Sequence, residues 1–143
     1  MNTYSINDKE FQQTDTYKQF IEENPTIGNL RIRAYAAGGA IPIEGLKITV
    51  RKIIDNTNII FFEGTTNNSG IIDRIQLPAP KLANNNLDIP NKTTYDIIAT
   101  YPKENLTYNY KINIYEDIYV VQNIGITPSM MVVNVEVGEE TWL

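Results

Sequence analysis

The side chains of this sequence that could do chemistry are carboxylates, hydroxyls and a few amines and guanidiniums, because it contains no cysteine and no histidine. Without cysteine there is no disulfide, thiolate nucleophile or thiolate metal site. Without histidine the usual general base near neutral pH and the commonest metal ligand are both missing. Carboxylates stand side by side as Glu22-Glu23, Glu116-Asp117 and Glu139-Glu140, and glycosidase chemistry needs only two of them. Neighbouring residues on a strand point to opposite faces, however, so these pairs do not converge on one substrate atom. They read as solvated charge. Ser69 has no histidine to activate it, and Gly38-Gly39 enters a strand where a phosphate loop would enter a helix. Asp55, Asn56, Asn58 and Asp73 could offer oxygens to calcium, but hairpin turns account for them. The sequence therefore assigns no catalytic, cofactor-binding or metal-binding residue, and the expectation is that the chain is not an enzyme.

The remaining candidates are contact residues. Nine tyrosines are many for 143 residues, and Tyr95, Tyr101, Tyr108, Tyr110, Tyr115 and Tyr119 crowd into one third of the chain. Tyrosine suits interfaces and is also a good strand residue, so two or three are expected at a contact and the rest in the core or on a sheet surface. Near residues 14–23 lies the one helical pattern: Thr14 or Asp15 can cap it, Pro25 ends it, and Tyr17, Phe20 and Ile21 share one face. So narrow a stripe does not fold alone, and it must dock on the rest of the chain or on a neighbour. The chain closes on Thr141-Trp142-Leu143. Tyr17, Phe20, Ile21, Trp142 and Leu143 are accordingly the expected partner-binding residues.

The elements that position these groups read as strands. At 143 residues, with 42% hydrophobic and 20% charged residues and a net charge of -5, this is one globular domain's worth of chain. Interspersed charges give no basic face for nucleic acid or an anionic membrane. The opening MNTYSINDKEF has no apolar signal-peptide core, and synthesis in the cytoplasm is expected. Strands are predicted near 29–36, 46–54, 59–63, 71–77, 94–101, 107–116, 118–126 and 131–137. The alternation is clearest where Leu30, Ile32 and Ala34 oppose Arg31 and Arg33, where Tyr108, Tyr110, Ile112 and Ile114 oppose Asn109, Lys111 and Asn113, and where Met131, Val133, Val135 and Val137 oppose Asn134 and Glu136. Residues 78–93 form the longest connection, which Leu82, Leu87 and Ile89 could pin down. The expected organisation is an arm at 1–27 with a short helix, a β-sandwich at 28–137 with no parallel sheet, and a tail at 138–143. Deleting the arm should then leave the sandwich folded.

Gly28-Asn29-Leu30, Ile41-Pro42-Ile43-Glu44-Gly45, the Thr66–Gly70 turn and Leu77-Pro78-Ala79-Pro80 together resemble the prealbumin-like (transthyretin-like) sandwich of carboxypeptidase regulatory-like domains and collagen-adhesin B-type repeats. The resemblance, which spans residues 28–137, implies an all-β Greek-key sandwich of seven to eight strands, prealbumin-like or Ig-like, with a short N-terminal helical arm. It also implies a domain that holds or binds, in Gram-positive (clostridial-type) spore, surface or phage proteins. In the adhesin repeats a first-strand lysine forms an isopeptide bond to a last-strand asparagine. Here the first strand carries Arg31 and Arg33, and arginine cannot serve as that amine, although Lys47 and Asn134 exist as a non-matching pair. The function this implies is a structural subunit of a virion, tail or spore surface that uses its arm and tail for self-assembly or scaffold contacts. The alternative is a recognition module for a cell-wall or spore glycan or a protein partner. No cofactor, nucleic acid or membrane is expected to bind.

Overall fold

The computed structural model describes residues 1–82 and 91–127. Nine strands stand among them: β1 (Asn2–Ser5), β2 (Thr26–Ala36), β3 (Ile41–Pro42), β4 (Lys47–Ile54), β5 (Thr57–Thr65), β6 (Ile71–Ala79), β7 (Thr93–Tyr101), β8 (Leu106–Ile114) and β9 (Tyr119–Gly125), with one helix, α1 (Asp15–Glu23). The strands form two sheets. One runs β1-β5-β4-β7-β8, and the other joins β6 to β2, with β3 continuing beside the end of β2 and β9 on the opposite edge of β2. The chain is thus an all-β sandwich with a short N-terminal helix. The predicted strand at 131–137 and the tail 138–143 lie outside the described residues.

Period-two alternation builds the core. Leu30, Ile32 and Ala34 of β2, Ile48 and Val50 of β4, Ile75 and Leu77 of β6, and Tyr95, Ile97 and Ala99 of β7 all turn inward and are buried. Tight turns follow from the sequence: Asp55 and Asn56 both take positive φ, 48° and 59°, which makes the two-residue β4–β5 hairpin turn that matches strand twist. Thr66 ties a corner together, accepting from the Leu46 N–H at 3.0 Å and donating to the Ile43 carbonyl at 2.6 Å.

Three expectations are corrected here. Neither sheet is wholly parallel, but each contains a parallel pair, β1 with β5 and β2 with β9. Leu82 does not pin the long connection, being 42% exposed, while Leu87 and Ile89 lie outside the described residues. Most consequential, residues 1–27 are not a detachable arm. β1 extends the larger sheet through β5, and Phe11 is buried between Tyr4, stacked at 5.7 Å, and Tyr17, edge-on at 5.6 Å. The cap that the sequence promised is present, since Thr14 accepts from the Tyr17 N–H at 3.2 Å. At the other end the Asn24 amide donates to the Phe20 carbonyl at 2.9 Å, and its oxygen accepts from the Thr93 hydroxyl, which closes the helix onto β7. Removing this segment would strip an edge strand and two buried rings from the domain, so loss of folding is the expected result.

Tyr95 illustrates how the two sheets are joined. Its ring is fully buried on β7, and its hydroxyl donates to the Pro78 carbonyl at the end of β6. Burial pushes this phenol far above the ordinary tyrosine value. A group whose folded pKa is raised contributes stability below its unfolded pKa, near 10 for tyrosine, and that contribution is lost as pH rises past it. We predict that unfolding free energy falls steeply above about pH 10 and that Tyr95→Phe flattens this alkaline slope. Tyr110, raised mainly by partial burial, would keep acting in the same direction. Urea titrations from pH 8 upward check this, and an unchanged slope in the variant would contradict it.

Candidate functional site

The alternation of β2 that sends Leu30, Ile32 and Ala34 inward sends Asn29, Arg31, Arg33 and Tyr35 outward. β9 lies parallel in register, Asn29 with Tyr119, Arg31 with Val121, Arg33 with Asn123 and Tyr35 with Gly125, so Tyr119 and Val121 join the same outer face. On the other side of β2, the pairing with β6 shifts register between Leu30 and Ile32. A bulge adds a residue and redirects side chains, and here Asp73 and Arg74 both emerge at the surface opposite Arg31.

These side chains organise one another. Arg31 and Arg74 each lie 5.5 Å from the centre of the Tyr119 ring, and Arg33 lies 4.8 Å from that of Tyr35. The Tyr119 hydroxyl donates to the Asp73 carbonyl, and Arg31 pairs with the Asp73 carboxylate. Hydrogen bonding to Tyr119 and the Asp73 charge hold Arg31 still more firmly protonated. Exposed apolar groups sit within or beside the arginines and tyrosines: Ile27 at 42%, Ile118 at 45%, Tyr119 at 39% and Val121 at 50% exposure. Arg31, Arg33 and Arg74 are three of the four arginines of an acidic chain. The face thus concentrates guanidiniums, aromatic rings and aliphatic groups, the composition that distinguishes contact surfaces from ordinary protein surface.

The residues singled out in the sequence go elsewhere. Phe20 is 5% exposed, belongs to the core and packs on Phe61 at 5.5 Å, and Ile21 is half-buried against the same core. Tyr17 is half-buried on Phe11. Their shared stripe faces this chain's own sandwich, so Phe20 offers a partner no free apolar surface and Ile21 only its uncovered part. Trp142 and Leu143 lie outside the described residues, as does Asn134; Lys47 is exposed on β4. Of the clustered tyrosines, Tyr95 is core, Tyr101, Tyr108 and Tyr110 pack against the core, Tyr115 is half-buried, and Tyr119 stacks with the arginines. Asp55 and Asn56 form the hairpin turn, and Asp73 is paired with Arg31. Sequence reasoning passed over Arg31, Arg33, Tyr35, Arg74 and Tyr119 as a group. The signal was present as Arg31-x-Arg33-x-Tyr35 at strand period, but only the β9 register and the β6 bulge reveal what joins it.

No protein-family model and no curated protein matches the chain. Among solved structures it is similar to a 5-hydroxyisourate hydrolase from Klebsiella pneumoniae, at 14% identity and a TM-score of 0.46, over 71% of this chain and 92% of that one. It is also similar to an (S)-allantoin synthase, at 14% identity and a TM-score of 0.43, over 72% of this chain and 42% of that one. The all-β sandwich with a short N-terminal helix expected from the sequence is what the described strands and α1 form. Both neighbours are enzymes by name, against the expectation that this chain is not one.

Proposed function

We propose that this chain is a subunit of a self-assembling protein array, in which the arginine–tyrosine face of one copy docks against the acidic helix face of the next. The observation that carries this reading is the exposed, pre-organised face of Arg31, Arg33, Tyr35, Arg74, Tyr119 and Val121 on a chain of net charge -5. Its counterpart is at hand. α1 exposes Asp15, Glu22 and Glu23 around a single Lys18, and Glu10 precedes it, so a surface with more carboxylates than amines lies on the N-terminal segment, apart from the β2–β9 face. Two different patches in contact make a head-to-tail interface, which closes into a ring or continues as a filament. Charge complementarity of this sort governs register and rate of association. The virion, tail or spore surface of a Gram-positive host or its phage is the setting we propose for such an array, on the resemblance drawn from the sequence.

A reciprocal charge exchange tests the docking. Arg33→Glu in one preparation and Glu22→Arg with Glu23→Arg in another should each lower self-association by about tenfold or more, with folding unchanged because the sites are exposed. A variant carrying all three substitutions should recover it. Unchanged self-association in either preparation would contradict the docking arrangement.

A further inference from the structure

On the other side of the molecule the C-terminal half of α1, the end of β4 and the start of β7 enclose an open cleft of about 630 Å³. Ile54 and Pro80 line it with apolar surface over the buried Phe20 ring, while Asn24, Thr93 and Thr94 line it with polar groups. Asn24 and Thr93 already satisfy each other, and Thr16 donates to the Asp55 carboxylate at 3.0 Å across one end. Lys52 is different. Its ammonium is half-buried, lies 6.0 Å from the Tyr95 ring centre and donates to the Thr94 carbonyl at 2.8 Å. None of the ion pairs among the described residues includes it. Burial depresses its pKa, against the attraction of Asp96 and with the repulsion of Lys111. A half-buried ammonium whose one hydrogen bond goes to a carbonyl has unused donors, and these favour an incoming anion.

We propose that this cleft binds a hydroxylated carboxylic acid of one or two sugar rings, with its carboxylate paired to Lys52. A pocket of this volume suits a ligand of that size. Ile54 and Pro80 present apolar surface to the C–H side of a sugar ring, and Gln19 and Glu23 at the mouth supply an amide and a carboxylate for its hydroxyls. The site is separate from the arginine–tyrosine face, while Glu23 at its mouth also belongs to the acidic helix face.

The test is a titration of the ¹⁵N-labelled full chain with D-glucuronate, with D-glucose as the uncharged analogue and inorganic phosphate as the bare anion. Glucuronate should shift amides of residues 16–24, 52–55 and 93–94, and glucose should bind about tenfold more weakly or worse. Lys52→Gln should abolish the response while retaining a folded spectrum, and Lys52→Arg should preserve much of it. Equal binding of glucose, tighter binding of phosphate, shifts elsewhere, an unaffected Lys52→Gln variant or no response to glucuronate would each overturn the proposal.

Discussion

Phe20→Ala is expected to cost about 3–5 kcal/mol of folding stability, the usual range for truncating a buried phenylalanine. The ring is 5% exposed and packs on Phe61, which in turn meets Tyr95 edge-on at 4.9 Å. This chain of rings joins α1 to β5 and β7, so truncation opens a cavity at the junction of helix and sheet. Small domains of this size are stable by only about 5–15 kcal/mol, and one substitution would remove a large share. Equilibrium urea unfolding reads the effect directly. Had Phe20 been a contact residue on a free arm, the same substitution would leave stability within about 0.5 kcal/mol and change only association. The two accounts of residues 1–27 are therefore separated by one variant.

Gly70→Ala should be at least as damaging, with an expected loss of more than about 3 kcal/mol or failure to fold. Gly70 ends the turn into β6 with φ of 76°, which L-residues rarely adopt. An added Cβ would also lie 2.3 Å from the Ala34 carbonyl oxygen and 3.1 Å from the Ile43 nitrogen. Both are backbone atoms, and they belong to the ladder that holds β2, β3 and this turn together: the Ala34 N–H donates to Gly70 O at 2.7 Å and the Ile43 N–H to Ala34 O at 3.1 Å. Neither can move aside without breaking those bonds. Thermal unfolding by circular dichroism would show the loss, and a variant within a few degrees of the parent would contradict the geometry.

The parts legible in the sequence were those with a local signature. Alternation placed seven strands close to where they lie, because a half-buried strand must expose every second residue to water. Thr14, the Tyr17–Phe20–Ile21 stripe and Pro25 marked α1 for the same kind of reason. What escaped was non-local. Asn2–Ser5 is short, polar and unpatterned, and it is a strand only because β5 offers it an edge. Nothing in Tyr119–Gly125 announces that its partner is β2 or that the pairing is parallel. The apolar stripe of α1 could be read, but its destination could not: a stripe fits its own core and a neighbour's equally well. The arginine–tyrosine face was hidden for a related reason. Three strands contribute to it, and the β6 bulge that brings up Asp73 and Arg74 has no sequence mark of its own.

The measurement that bears most directly on the account is light scattering coupled to size exclusion on the intact chain, over a wide concentration range and at low and high salt. Head-to-tail docking through charge predicts an average mass that grows with concentration and falls as salt screens the contact. A strict monomer at every concentration in low salt would contradict the proposed assembly.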